Sequence, residues 1–141
     1  MQPADYLTGL TLYLEGVAKS NPAALAKGAA YRGNVLVHEG ASIGAGCLIG
    51  PDVCIDVGCV IEPGVRIARC TVMRGVRIKA HACVTDSIIG WDSGIGAWGR
   101  VENKSVLGKD VQVADEVHLN GAVILPHKEI KVSVQTPQII L

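Results

Sequence analysis

The segment Val53-Cys54-Ile55-Asp56-Val57-Gly58-Cys59-Val60-Ile61-Glu62-Pro63-Gly64-Val65-Arg66-Ile67 repeats its own pattern every six residues. Ile55, Ile61 and Ile67 are large and aliphatic. Val53, Cys59 and Val65, two places earlier, are smaller, and Asp52, Gly58 and Gly64 stand one place before those. Residues two apart in a strand share a face, so each large residue and its smaller neighbour point to the same side. Gly and Asp tolerate the positive φ of a tight turn. The unit is a short strand followed by a corner.

Worked outward, the large position runs back through Ile49, Ile43 and Val37. Forward, one five-residue step gives Val72, Ile78 and Val84. A second gives Ile89, Ile95, Val101, Leu107, Val113, Leu119 and Leu125. All sixteen anchors are Ile, Leu or Val, in a chain where 42 of 141 residues are. The place two before each anchor holds only Val, Ala, Gly, Ser or Cys, ending with Val123. Of the fifteen corner positions from Gly40 to Ala122, nine are Gly or Asp. The pattern predicts an all-β fold, a parallel β-helix with three hexapeptides per coil and roughly five coils. Anchors should stack in apolar ladders, because neighbouring strands lie about 4.8 Å apart.

Composition agrees. With 17 Gly, no Phe, two Trp and three Tyr, the interior must be narrow and repetitive, since irregular cores use aromatics as filling. Thirteen basic and thirteen acidic residues cancel, so no field favours nucleic acid or an anionic membrane surface. No apolar run approaches a membrane span and no leader pattern follows Met1, so neither a span nor secretion is expected. Five cysteines without CxxC spacing read as reduced thiols in a cytoplasmic protein. Cys47, Cys59 and Cys70 fall at the inward position and Cys54 and Cys83 at outward ones.

The ends depart from the period. Leu7, Leu10, Leu14 and Val17 predict an amphipathic helix over 4–20, stopped at Asn21-Pro22. A terminal coil exposes strand edges, and this helix is expected to cap one. The chain thus divides into a linker and capping helix (1–30), the β-helix (31–128) and, after Pro126-His127-Lys128, an extended tail (129–141).

Several interruptions of the repeat carry a resemblance. They are Gln2-Pro3-Ala4-Asp5-Tyr6-Leu7-Thr8-Gly9, Gly33-Asn34-Val35-Leu36-Val37, Cys70-Thr71-Val72-Met73-Arg74 and Ile88-Ile89-Gly90-Trp91. To these add Trp98 through Glu102-Asn103, Asn120-Gly121, Leu125-Pro126-His127-Lys128 and Ile139-Ile140. Together they resemble the C-terminal domain of GDP-mannose pyrophosphorylases (mannose-1-phosphate guanylyltransferases) of the eukaryotic catalytic β type. The resemblance implies a left-handed coil, a hand the period itself does not set. It also implies a role in assembly and regulation, as a homo-oligomer or with a related non-catalytic subunit. The family's Gly-rich phosphate signature, its sugar-phosphate lysine and the aspartates that hold Mg are not found in this sequence. GTP and Mg would belong to the catalytic domain, and no turnover is expected from these residues alone.

No catalytic or metal-ligating residue is assigned. His38, His81 and His118 occupy different coil positions without a closely spaced pair, unlike a three-His zinc site. The alternative function, a self-sufficient trimeric hexapeptide acyltransferase, would use His81 or His127 as general base. Trp91 and Trp98 fall at corner or outward positions. With Arg100, Glu102 and Asn103, and Lys104 beside them, they form the candidate interface: aromatic anchors with a polar rim.

Overall fold

The computed structural model describes residues 3–20 and 31–140. Strands of two or three residues alternate with turns, and every paired strand is parallel to the one a coil away. A seven-stranded sheet stacks Val35–Val37, Val53–Ile55, Thr71–Val72, Ile88–Ile89, Val106–Leu107, Val123–Ile124 and Ile139–Ile140. A six-stranded sheet stacks Ser42–Ile43, Val60–Ile61, Arg77–Ile78, Gly94–Ile95, Gln112–Val113 and Glu129–Ile130. A five-stranded sheet stacks Leu48–Ile49, Arg66–Ala68, Cys83–Thr85, Arg100–Glu102 and His118–Asn120. The whole is a β-solenoid of about six turns, consistent with a left-handed β-helix.

The ladders follow the predicted register. Ile43, Ile61, Ile78, Ile95, Val113 and Ile130 stand one above another on the six-stranded side. Val35, Cys47, Cys59, Val65, Cys70, Val76 and Ala82 are buried beside the anchors, as the inward small positions require. Ser87, Ser93 and Ser105 hold the same place with hydroxyls satisfied by backbone carbonyls of Thr85, Gly108 and Glu102 at 2.7–2.8 Å. A buried hydroxyl costs little once it is bonded. Burying each Ile or Leu anchor contributes about 1.5–3 kcal/mol, and the thin interior is made almost wholly of such increments.

Two expectations about the C-terminal end are corrected. Leu125 is 39% exposed, whereas Ile124 is 1% exposed and pairs with Leu107 and Ile140. A third five-residue step, Leu119 to Ile124, therefore follows the two read from the sequence, and Ala122 replaces Val123 as the inward small residue. The stack also does not end at residue 128. Glu129–Ile130 pairs with Gln112–Val113, Val134 bridges to Leu119, and Ile139–Ile140 closes onto Val123–Ile124. The expected tail is the last coil, which is why the count rises from five toward six.

All three short steps, 67 to 72, 84 to 89 and 119 to 124, fall at one corner, between the five-stranded and seven-stranded sheets. There the short version turns on a single positive-φ residue, Arg69, Asp86 or Gly121. The long version uses two, Gly50 with Asp52 or Asn103 with Lys104. The extra residue is absorbed in the corner, so the ladders on either side keep their register.

The N-terminal helix, Pro3–Ser20, has the expected extent; its stop at Asn21-Pro22 lies outside the described residues. Its place differs from the capping role expected. Leu7, Thr8 and Thr11 share a depression with Arg69, Asp86 and Lys104, which stand at the same corner in three successive coils. The helix therefore lies on the flank of the stack. The physical reason is the adjoining seven-stranded sheet, whose outward rung reads Leu36, Cys54, Thr71, Ile88, Val106, Val123 and Ile139. An apolar outer rung needs cover. Its middle members Thr71 and Ile88 are only 7% and 9% exposed, and Leu14 of the helix is fully buried.

The revised register makes a sharp prediction. Ile61→Asp and Ile124→Asp should each cost several kcal/mol and abolish a cooperative melt, because an unpaired charge enters an apolar ladder. Leu125→Asp should change stability by no more than about 1 kcal/mol. Circular-dichroism melts of the three variants check it, and equal damage at 124 and 125 would contradict the third short step.

Candidate functional site

The five candidate residues are set out by the coil on which they sit. Trp91 and Trp98 stand at the two corners that bound the strand Gly94–Ile95 of the six-stranded sheet. Arg100 and Glu102 lie on the next side, in the five-stranded sheet, and Asn103 opens the corner beyond it. Trp91 and Trp98 are 47% and 63% exposed, large apolar areas left to solvent in this chain. That strand thus has a tryptophan at the corner on either side, and the polar residues occupy the next side of the coil.

Trp98 adopts a positive φ of 60°, a conformation that costs a residue with Cβ roughly 1–2 kcal/mol. Its indole stacks on His81 with ring centroids 4.5 Å apart and planes inclined by 22°. His81 is the same corner one coil earlier, also at positive φ, 62°. One coil earlier again stands Gly64, where a Cβ would collide with the His81 ring. Glycine at 64 makes room for histidine at 81, and histidine at 81 supports tryptophan at 98. All three stand three places before an anchor, so the pairing was available from the repeat once same-corner residues were compared across coils.

The other candidates are held inside the chain. Glu102 Oε1 meets His118 Nε2 at 2.7 Å, and Asn103 Nδ2 donates to Asn120 Oδ1 at 2.9 Å. Each partner is one coil further on, so these are rungs of polar ladders on the outside of the stack. Arg69 makes a two-point contact with Asp86 at the same corner (2.7 and 3.1 Å), and that bond raises the guanidinium pKa further. Asp110 is held below the usual carboxylate range, first by its hydrogen bond with His127 and then by Gln112.

The histidines are similarly occupied. His38 Nδ1 accepts from the Gly40 N–H, His81 carries Trp98, His118 meets Glu102 and His127 meets Asp110. Among the described residues, no group of three or more His, Cys, Asp or Glu is arranged to hold a metal ion. No described helix is long and apolar enough to cross a membrane.

The five cysteines are free thiols, buried at Cys47, Cys59 and Cys70 and half-buried at Cys54 and Cys83, as the inward and outward positions imply. Cys59 Sγ donates to the Met73 carbonyl (2.9 Å) and Cys70 Sγ to that of Ala68 (3.0 Å). Burial pushes the Cys70 thiol up to about 12, and raises Cys54 and Cys59 as well. Cys70 is thus a packing group that keeps its proton at neutral pH.

Depressions in the surface are shallow. One of about 220 Å³ lies on the six-stranded face, bordered by Arg77, Lys79, Gly94, Gln112, Asp115 and Glu129. It is centred on the strand that the two tryptophans bound. Gln112 Oε1 and Asp115 Oδ1 lean over the spaces left by Gly94 and Gly96, and Asp115 accepts the Ala97 N–H. The floor is backbone and the walls are charged, a shape suited to a flat macromolecular contact more than to enclosing a small substrate.

Comparison with known proteins gives a consistent answer. Residues 31–140 match the family described as the GMPPB C-terminal domain. A probable mannose-1-phosphate guanylyltransferase 1 of Oryza sativa subsp. japonica is 62% identical over 140 residues, covering 99% of this chain and 39% of that protein. Mannose-1-phosphate guanylyltransferase 1 of Arabidopsis thaliana is 59% identical, with the same coverage. The mannose-1-phosphate guanylyltransferase catalytic subunit beta of Danio rerio is 50% identical, again over 99% of this chain and 39% of its own length. The chain therefore spans about two fifths of the length of these relatives.

The thiols give the prediction of this section. A thiol-specific reagent at pH 7.5 should label Cys54 and Cys83 before Cys47, Cys59 and Cys70, with Cys70 among the last, as peptide mass mapping over time would show. Unfolded thiols ionise near 9.0, whereas Cys70 in the fold keeps its proton to about 12. The unfolded chain thus binds fewer protons in that window, and stability falls as pH rises from about 9 to 12. Cys70→Ala should make the decline of the melting temperature above pH 9 shallower, and an unchanged slope would contradict the assignment.

Proposed function

The chain belongs to the GMPPB C-terminal-domain family, and from that membership we propose that it serves as the β-helix assembly and regulatory domain of a mannose-1-phosphate guanylyltransferase. In the intact enzyme, GTP and mannose 1-phosphate give GDP-mannose and pyrophosphate. GTP and Mg are bound by a catalytic segment outside these coils, where cations offset the charge that develops on the triphosphate. The coils hold subunits together, with a second copy or a related non-catalytic subunit as partner, and present a fixed surface to their own catalytic domain. The same reading places the protein in the cytoplasm, where its five thiols stay reduced.

One observation carries this reading. The matched residues 31–140 coincide with the coil stack itself, from the Tyr31 bridge to Ile49 through to Ile140 on Ile124. A rigid stack suits assembly, because its core is satisfied coil by coil and its outer faces are free to serve contacts.

Light scattering on the purified chain is the test. A homodimer, twice 14.7 kDa, or a complex on mixing with the related subunit is the expected result. A chain that stays monomeric at high micromolar concentration, alone and in the mixture, would overturn the assembly role. A compact trimer that binds acyl-CoA would replace it with acyl transfer.

A further inference from the structure

The six-stranded face has an order in its charges that the assembly reading does not require. Its middle coil, Trp91 to Trp98, has glycine at 94 and 96 and a tryptophan at each corner. One coil earlier, residues 74–81 carry Arg74, Arg77, Lys79 and His81 and no acid. One coil later, residues 109–116 carry Asp110, Asp115 and Glu116 against a single Lys109. Two coils out the signs reverse: Glu62 is the one charged residue of 57–64, and His127, Lys128 and Lys131 outnumber Glu129. About the middle coil, whose own charge is Asp92, the flanking coils oppose one another in sign, although Glu62 also meets Arg77 of its own chain at 3.1 Å.

Resting on the assembly reading, we infer that a second copy of this chain docks face to face on the six-stranded sheet, with the two stacks antiparallel and the two-fold axis along the Gly94–Ile95 strand. That operation brings whatever lies one coil before the axis opposite whatever lies one coil after it. Arg77 and Gln112 both pair with Gly94, so they come face to face between copies. Lys79 donates its N–H to the Ile95 carbonyl and Gly96 donates to that of Val113. Lys79, Gly96 and Ala114 therefore share a row, and Lys79 of one copy meets Ala114 and Asp115 of the other. By the same rule Glu62 faces Lys131, and at the corners His81 faces Glu116. Trp91 and Trp98, lying on the axis coil, each meet their own counterpart.

A parallel arrangement would set basic coil on basic coil and acidic on acidic. The charges therefore select orientation, while the tryptophans supply apolar contact at the two ends of the axis. An interface of this kind is isologous and closes at two subunits. Gly94 and Gly96 carry no Cβ, and Gln112 and Asp115 fold over them, so the axis row is low and roofed by the polar groups of the next coil.

Charge exchange tests the geometry. Lys79→Glu should weaken the dimer by about tenfold or more, as should raised salt on the parent. The double variant Lys79→Glu with Asp115→Lys should recover most of the loss, because position 79 of each copy meets position 115 of the other. Asp115→Lys also removes the acceptor of the Ala97 N–H, so a melt must accompany the mass measurement. Trp98→Ala is the second variant, for a double variant that fails to fold, and is expected to dissociate the dimer with its melt retained. A dimer indifferent to Lys79→Glu and Trp98→Ala would overturn this face and leave the assembly role standing. A weakened Lys79→Glu dimer that a folded double variant fails to rescue would overturn the antiparallel pairing. A monomeric parent would overturn this inference, and it would overturn the assembly role as well only where the chain also forms no complex on mixing with the related subunit.

Discussion

Left-handed backbone at the corners is the constraint on which everything else in this molecule depends. A coil must turn three times and return to register within 15 to 18 residues, and it does so on residues with φ near +60°. Glycine meets that requirement freely. Yet among the described residues eleven such positions are not glycine, including Arg69, His81, Trp98, Glu116 and His127. Asp and Asn take that conformation readily, whereas the others are strained by roughly 1–2 kcal/mol each and persist because the ladders on both sides over-determine them. Side chains forced to the corners are also forced into columns, one per coil. From that follow the Trp98 stack on His81, the Asp86 contact with Arg69 and the Asp110 contact with His127.

Much of this was legible in the sequence, for a physical reason. A solenoid repeats one environment, so sixteen samples of the anchor position make a pattern that a single strand could not. The inward cysteines and serines were legible on the same basis. The last anchor was not, because Ile124 and Leu125 are adjacent and both aliphatic. Only burial separates them, and the short corner at Gly121 becomes visible afterwards. Residues 129–140 gave no period because their coil holds a looser segment, Lys131 to Gln138, between two strands. The helix was legible as a helix but not as a flank element. Its destination depends on the outer rung of the seven-stranded sheet, and the anchor count ignores outward positions.

The candidate interface shows the same division. Trp91 and Trp98 were identifiable as outward aromatics, and they do bound one strand. Glu102 and Asn103, neighbours in sequence, are committed to His118 and Asn120, residues 16 and 17 positions on. Neighbours along the chain are separated at a corner, whereas residues about 17 or 18 apart become neighbours. The three faces consequently differ in character: one apolar and flanked by a helix, one polar with internal ladders, and one with alternating charge and a tryptophan at either edge.

The corner between the five-stranded and seven-stranded sheets has a meaning beyond packing. Coil after coil differs there in length by a residue while the ladders on both sides stay aligned. In genetic terms that corner is a site where insertions and deletions of one residue are nearly silent. A lineage can lengthen or shorten this turn, and an engineer can graft a loop there, without rewriting the rest of the stack.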